Sequence, residues 1–153
     1  LGAENTDNTE PVRLSPAALD LALKASGRVD VFRRLGELAA VVSPHLNAQQ
    51  VAAALLARER LGSTVVAPGL ALPHARLPGL EQPILCAVRL LQEVDFESDM
   101  VSMAIGVLVP EGEPSMHLEL LRRLALTLAQ PRSVAALLSA SNSERFLQLM
   151  EGA

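Results

Sequence analysis

The sequence predicts an α/β domain, and three observations point to it. Two β-rich apolar runs, residues 83–91 and 100–109, have the length and composition of buried strands. Residues 30–42, 48–60 and those after 115 instead repeat their apolar side chains at helical spacing. Half of the 153 residues are hydrophobic, enough for one domain with a substantial core.

The elements follow in order. Residues 1–11, with Glu4, Asn5, Asp7, Asn8 and Glu10, are polar and aperiodic and read as a flexible tail. A single domain is expected over residues 12–151. Ala18 to Ala25 come close to alternation, which suits a first strand broken by Ser26-Gly27. Val31, Leu35, Leu38 and Val42 mark a helix that Ser43-Pro44 ends. Asn47, with Gln50 three residues on, is a capping-box-like start for a helix over 48–60, closed by Gly62-Ser63-Thr64. Val65-Val66 start a short strand toward Leu70–Leu72, and Pro78-Gly79 marks a turn. The polar stretch 92–99 is a hairpin loop between the two long strands. Ser115 suits the N-cap of a helix starting at Met116, with Leu118, Leu121, Leu124, Ala125 and Leu128 on its buried face. Pro131 opens a short helix through Leu138, and Ser143 caps a last one.

Composition excludes several functions. Only three residues are aromatic, all Phe, so no platform exists for stacking bases or sugars. Thirteen basic and seventeen acidic residues give a net charge of −4, and the basic residues are scattered, which argues against nucleic acid. The single cysteine, Cys86, lies in an apolar run and reads as a small buried hydrophobe. Three scattered histidines and one such cysteine lack metal-ligand spacing, so no metal is expected. No Gly-x-Ser-x-Gly elbow accompanies the serines. No apolar run approaches the roughly 18 residues of a membrane span, and nothing resembles a signal peptide, so a cytoplasmic setting is expected. The chain begins at Leu1 without a methionine, as a trimmed chain would.

The most informative run is Gly69-Leu70-Ala71-Leu72-Pro73-His74-Ala75-Arg76. Pro73 lacks a backbone N–H and has a fixed φ, so an ordinary strand or helix is expected to stop there and deliver His74 at an element end. A stiffly held imidazole in that position suits a nucleophile or general base. The residues alone leave a second reading open, a capping or core histidine that bonds a carbonyl. Three features could converge with His74. Arg58 ends the second helix, His117 follows Ser115 in a first helical turn, and the backbone N–H groups of that turn are free to bind an anion. Two imidazoles, an arginine and free N–H groups would make a phosphate pocket. Each also has a plainer reading: Arg58 as a solvated helix end, His117 as an exposed first-turn residue, Ser63 and Thr64 as turn residues. His45, beside Pro44, is expected in a surface loop.

The run Arg58-Glu59-Arg60-Leu61-Gly62-Ser63-Thr64, then Gly69 to His74, then Arg76-Leu77-Pro78-Gly79-Leu80, resembles enzyme IIA of the mannitol/fructose class of the bacterial phosphoenolpyruvate-dependent phosphotransferase system. It is most similar to the nitrogen-regulatory branch. The similarity continues through Val94-Asp95-Phe96, Val107 to Pro110 and His117-Leu118, and so covers residues 14–150. Three departures stand out: Val65-Val66-Ala67-Pro68 where the family has glycines, Ala75 directly after the histidine, and Glu97-Ser98-Asp99-Met100 in place of a longer Asp-Gly-x-Pro-Val segment.

The resemblance implies a mixed β-sheet flanked by helices on both faces. It implies that His74 accepts phosphate from a histidine phosphocarrier protein, with Arg58 as the matching arginine and His117 as the second active-site histidine. Arg58, Ser115 and His117 would then bind the phosphoryl group, and no nucleotide or metal would be required. Three functions are compatible with it: a phosphotransfer protein whose phosphorylation state regulates an unidentified partner, a binding module that has lost phosphorylation, or a sugar-specific enzyme IIA that passes phosphate to a IIB cysteine. A phosphoprotein donor needs an open docking face, for which Leu77 and Leu80, near the nucleophile in sequence, are the expected contacts.

Overall fold

Two long antiparallel strands, β5 (Ile84–Asp95) and β6 (Met100–Pro110), form the spine of the sheet. A computed structural model describes residues 12–112 and 114–152, and the tail expected over 1–11 lies outside the described residues. The other strands are β1 (Leu14–Leu23), β2 (Val65–Ala67), β3 (Gly69–Ala71) and β4 (His74–Leu77). The helices are α1 (Arg28–Val42), α2 (Ala48–Leu61), α3 (Pro114–Leu128), α4 (Pro131–Ser139) and α5 (Ser143–Glu151). The strand order is β1-β5-β6-β3-β2, with β4 also paired to β6. β1 runs parallel to β5, β3 and β4 run parallel to β6, and β2 runs antiparallel to β3, so the sheet is mixed, as expected.

Both faces of the sheet are covered. Cys86 and Arg89 lie three residues apart on β5 and therefore point to opposite faces. On the Cys86 side a Cβ added at its partner Gly106 would lie 2.9 Å from the Cys86 sulfur and 3.5 Å from Leu35 of α1. On the other side the Arg89 guanidinium donates to the carbonyls of Leu137, Leu138 and Ala140 at the end of α4, at 3.1, 3.2 and 2.7 Å. Cys86 is fully buried and its thiol is pushed up to about 12 by desolvation, so it is the inert core residue expected.

The two helical regions pack as their sequences direct. Asn47 caps α2, its side chain accepting from the Gln50 N–H at 2.9 Å. Gly36 of α1 faces α2, where any Cβ would collide with the Ala48 carbonyl oxygen, so the two helices approach closely only because this residue has no side chain. Phe32 of α1 meets Phe96 edge to face, with ring centroids 5.6 Å apart, and ties the β5–β6 hairpin tip to the helix.

Several boundaries differ from expectation. The first strand is Leu14–Leu23, not 18–25, because its parallel register begins at Leu14 opposite Leu85. The 92–99 loop shrinks to residues 96–99, since Val94 and Asp95 pair with Val101 and Met100. The Phe96 N–H closes that turn on the Asp99 carbonyl at 2.8 Å, and Glu97 takes a φ of 75°, a left-handed conformation unusual for a side-chain-bearing residue. Helix α3 begins at Pro114, which suits a first helical position, so Ser115 lies inside the first turn and is not its N-cap. The cap of α5 is Asn142, which accepts from the Arg145 N–H at 2.9 Å, and Ser143 is its first helical residue. No helix among the described residues is long and apolar enough to cross a membrane.

Candidate functional site

Pro73 interrupts what would otherwise be one strand along β6. Upstream of it β3 pairs with Val101 to Ala104, and downstream β4 pairs with Val107 to Pro110. The break suits a proline: Pro73 has no N–H to donate, and its carbonyl accepts the Val107 N–H at 2.8 Å. Before it, Pro68-Gly69 turns β2 into β3, with Gly69 at a φ of 84°, a left-handed conformation that costs glycine nothing. His74 is therefore the first residue of β4, held opposite Val107.

The ring of His74 is half-buried, and its Nδ1 lies 2.9 Å from the Leu72 carbonyl oxygen. A carbonyl only accepts, so Nδ1 carries the proton and the neutral ring presents its lone pair at Nε2. The plainer reading of this histidine and the chemical one thus describe the same geometry, because the carbonyl bond selects the tautomer that leaves Nε2 free. Burial pushes the imidazole pKa below its ordinary value. The Leu72 bond works against this, the nearby Arg58 charge adds to it, and Glu59 opposes it.

Leu72 is itself tied down. Its N–H donates to the Thr64 carbonyl at 2.9 Å. Thr64 is buried, and its N–H and hydroxyl both donate to the carboxylate of Glu59, at 3.0 and 2.5 Å. Glu59 is only 4% exposed. A buried carboxylate is costly unless hydrogen-bonded, and these two bonds satisfy it. The chain Glu59–Thr64–Leu72–His74 connects the end of α2 to the imidazole. Sequence reasoning passed over Glu59. A carboxylate one residue after Arg58 and five before a threonine is a local signal, but its burial is not visible in the sequence.

Arg58, His74, Ser115 and His117 line one cleft of about 630 Å³, together with Ala54, Ala57, Ala75, Arg76, Val109, Leu118 and Leu121. α2, β4, the end of β6 and the start of α3 build its walls. Arg58 places one guanidinium N–H on the Gly62 carbonyl at 2.8 Å, at the end of its own helix. His117 is 7% exposed, and its Nδ1 is buried with no hydrogen-bond partner. An unpaired buried nitrogen of that kind is unusual. The Ser115 N–H belongs to the first turn of α3, where amides have no partner within the helix. Among the described residues two arginines line the cleft and no carboxylate does.

Two expected contacts do not reach this surface. Leu77 and Leu80 are 6% and 7% exposed and belong to the core, since alternation along β4 turns Leu77 inward, away from the face of His74 and Arg76. Both are therefore core residues and not the docking contacts expected. Exposed apolar surface beside His74 comes instead from Leu118, which is 67% exposed. His45 is exposed as expected, with its Nε2 3.2 Å from the Gly79 carbonyl, so it joins the α1–α2 loop to the turn after β4. Among the described residues no group of three or more His, Cys, Asp or Glu side chains is placed to hold a metal ion.

The family model described as "Phosphoenolpyruvate-dependent sugar phosphotransferase system, EIIA 2" matches residues 14–153. The chain belongs to this enzyme IIA family. A nitrogen regulatory protein of Pseudomonas aeruginosa is 34% identical over 140 residues, covering 90% of this chain and 91% of that relative. A mannitol-specific phosphotransferase enzyme IIA component of Staphylococcus aureus is 31% identical over 99 residues, covering 63% of this chain and 67% of that relative. Among solved structures, nitrogen regulatory protein IIA-Ntr from Neisseria meningitidis superposes with a TM-score of 0.83 at 30% identity, covering 90% of this chain and 95% of that one. Mannitol IIA from Escherichia coli shares the enzyme IIA fold, with a TM-score of 0.72 at 22% identity, covering 90% of this chain and 99% of that one.

Proposed function

We propose that this enzyme IIA is a cytoplasmic phosphotransfer and regulatory protein. It accepts a phosphoryl group on His74 Nε2 from a histidine phosphocarrier protein, and its binding to a regulated partner depends on that phosphorylation. The observation that carries this reading is the pairing of a tautomer-fixed, neutral imidazole with a cleft that, among the described residues, is lined by two arginines and no carboxylate.

The step balances without a cofactor. The Nε2 lone pair forms the new N–P bond while the N–P bond of the donor histidine breaks, and the donor ring leaves with that electron pair. Positive charge grows on the His74 ring as the bond forms, and the Leu72 carbonyl, which accepts the Nδ1 proton, stabilises it. The phosphoryl oxygens carry about two negative charges. Arg58, the Ser115 N–H and His117 are the groups proposed to receive them, and a hydrogen on the orphan His117 Nδ1 would gain an acceptor. The protein's contribution is position and charge neutralisation.

The regulatory role rests on the relatives. Those named nitrogen regulatory proteins cover more of this chain than the mannitol-specific ones do, 90% and 84% against 63%. The mannitol-specific relatives support a second reading, a sugar-specific enzyme IIA that passes its phosphate to a IIB cysteine. Incubation with phosphoenolpyruvate, enzyme I and the phosphocarrier protein, followed by intact mass, tests the shared step. The wild type gains one acid-labile phosphoryl group and His74→Ala gains none. Uptake by His74→Ala at wild-type stoichiometry overturns the assignment. Addition of a IIB domain then separates the two readings, since only a sugar-specific enzyme IIA discharges to it.

A further inference from the structure

We propose that Arg76 is a second phosphoryl-binding cation of this site, a role that rests on His74 being the phosphoacceptor. Arg76 stands two residues after His74 on β4. The strand alternates half-buried His74, buried Ala75, exposed Arg76 and buried Leu77, so the imidazole and the guanidinium project from the same face. Their Cα atoms are separated along the strand by about 7 Å, a span that a flexible arginine side chain covers. The backbone of β4 sets this spacing, and its pairing with β6, from His74 opposite Val107 to Leu77 opposite Pro110, fixes where both residues stand in the sheet. Arg76 and its pairing partner Val109 both line the cleft that holds His74.

The charges call for a second cation. A phosphoryl group brings close to two negative charges and three acceptor oxygens into a partly desolvated cleft. Arg58 supplies one positive charge, and one of its N–H groups is already committed to the Gly62 carbonyl. Among the described residues Arg76 makes no ion pair, and no carboxylate lines the cleft to compete for it. Its guanidinium is thus free to present two parallel N–H groups to phosphoryl oxygens in the cleft that it shares with buried His117. Bound there, it neutralises the remaining charge and covers the phosphorus from water. The consequence is a longer-lived phosphohistidine.

Phosphoramidate, which phosphorylates histidine without a protein donor, loads wild type, Arg76→Gln and Arg76→Lys for comparison. Decay of the phosphoprotein is followed by intact mass, and the titration of the phosphoryl group is followed by 31P NMR. Arg76→Gln is expected to hydrolyse about 10-fold faster and to titrate at higher pH, because the dianion has lost a cation. Arg76→Lys is expected to keep most of the titration shift and only part of the lifetime, since it retains charge without the fork. The position is exposed on the strand, so both variants are expected to match the wild type in circular dichroism. Unchanged lifetime and unchanged 31P titration in Arg76→Gln overturn the proposal. So does a variant altered only in its KM for the phosphocarrier protein, which makes Arg76 a partner contact. Failure of the wild type to take phosphate on His74 at all strikes the underlying reading, and is seen before any Arg76 variant is measured.

Discussion

At His74 the two ring nitrogens have different surroundings, and much of the proposed chemistry follows from that. Nδ1–H is occupied by the Leu72 carbonyl at 2.9 Å, so the phosphoryl group is expected on Nε2. Nitrogen-15 NMR of the free protein should show Nδ1 protonated and Nε2 unprotonated, and the phosphoprotein should show phosphorus coupled through Nε2. Phosphate on Nδ1 would contradict the tautomer assignment. The pKa follows from burial first and Arg58 in the same direction, and both lower it. The ring is therefore neutral at neutral pH, and the nucleophile disappears only as pH falls through a midpoint below the ordinary value of about 6.5. The unfolded chain binds this proton more readily than the folded one. The His74 contribution to stability is accordingly unchanged above the ordinary midpoint and declines as pH falls below it. Arg58→Ala removes a positive neighbour, so the His74 midpoint measured by NMR should rise. Transfer from the phosphocarrier should also slow by about 10-fold or more, the effect of losing roughly 1.4 kcal/mol of phosphate stabilisation.

At the scale of elements, the site depends on two corners. One is the Pro73 break that starts β4 at His74, and the other is the α2–β2 corner held by Glu59 and Thr64. Replacing Glu59 by Ala leaves the buried Thr64 N–H and hydroxyl without their acceptor, which is expected to cost about 1–3 kcal/mol in urea denaturation. The same variant should broaden the His74 ring resonances, because Leu72 is anchored on the Thr64 carbonyl. Gly36→Ala is expected to destabilise by about 1–3 kcal/mol through overpacking of α1 on the Ala48 carbonyl, although alanine is the better helix former. Much of this was legible in the sequence. The apolar periodicity of Val31, Leu35 and Leu38 and the Asn47 cap located α1 and α2 to within two residues. Strand ends were less legible, because pairing sets them: Val94 and Asp95 are polar-context residues that join a strand only through Val101 and Met100. Ser115 looked like a cap because a serine before a helical run usually is one, and Pro114 took the first helical position instead.

For the molecule as a whole, a net charge of −4 surrounds a cleft that, among the described residues, has two arginines as its charged side chains. An incoming phosphohistidine thus meets a locally positive site on an acidic protein, and rates of transfer should fall as salt rises. The residues of this cleft were legible one at a time, since Arg58, His74, Ser115 and His117 all line it. Their surroundings were not, because closeness in sequence is a poor guide to the rim. Leu77 lies three residues from His74 yet faces the core, whereas Leu118 comes from another helix and stands 67% exposed at the cleft. The two leucines therefore make a matched test of where a donor protein docks. Leu77→Asp buries a charge in the core and should unfold the domain or cost several kcal/mol of stability. Leu118→Asp places its charge in water and should leave the melting temperature within a few degrees of wild type. It should nevertheless raise the KM for the phosphocarrier protein by about 10-fold, as loss of a central apolar contact does. The uncharged Leu118→Asn, which adds no carboxylate to the cleft, should also raise this KM yet load from phosphoramidate, which needs no docking face, as the wild type does. A Leu118→Asp protein with an unchanged KM would remove α3 from the docking surface.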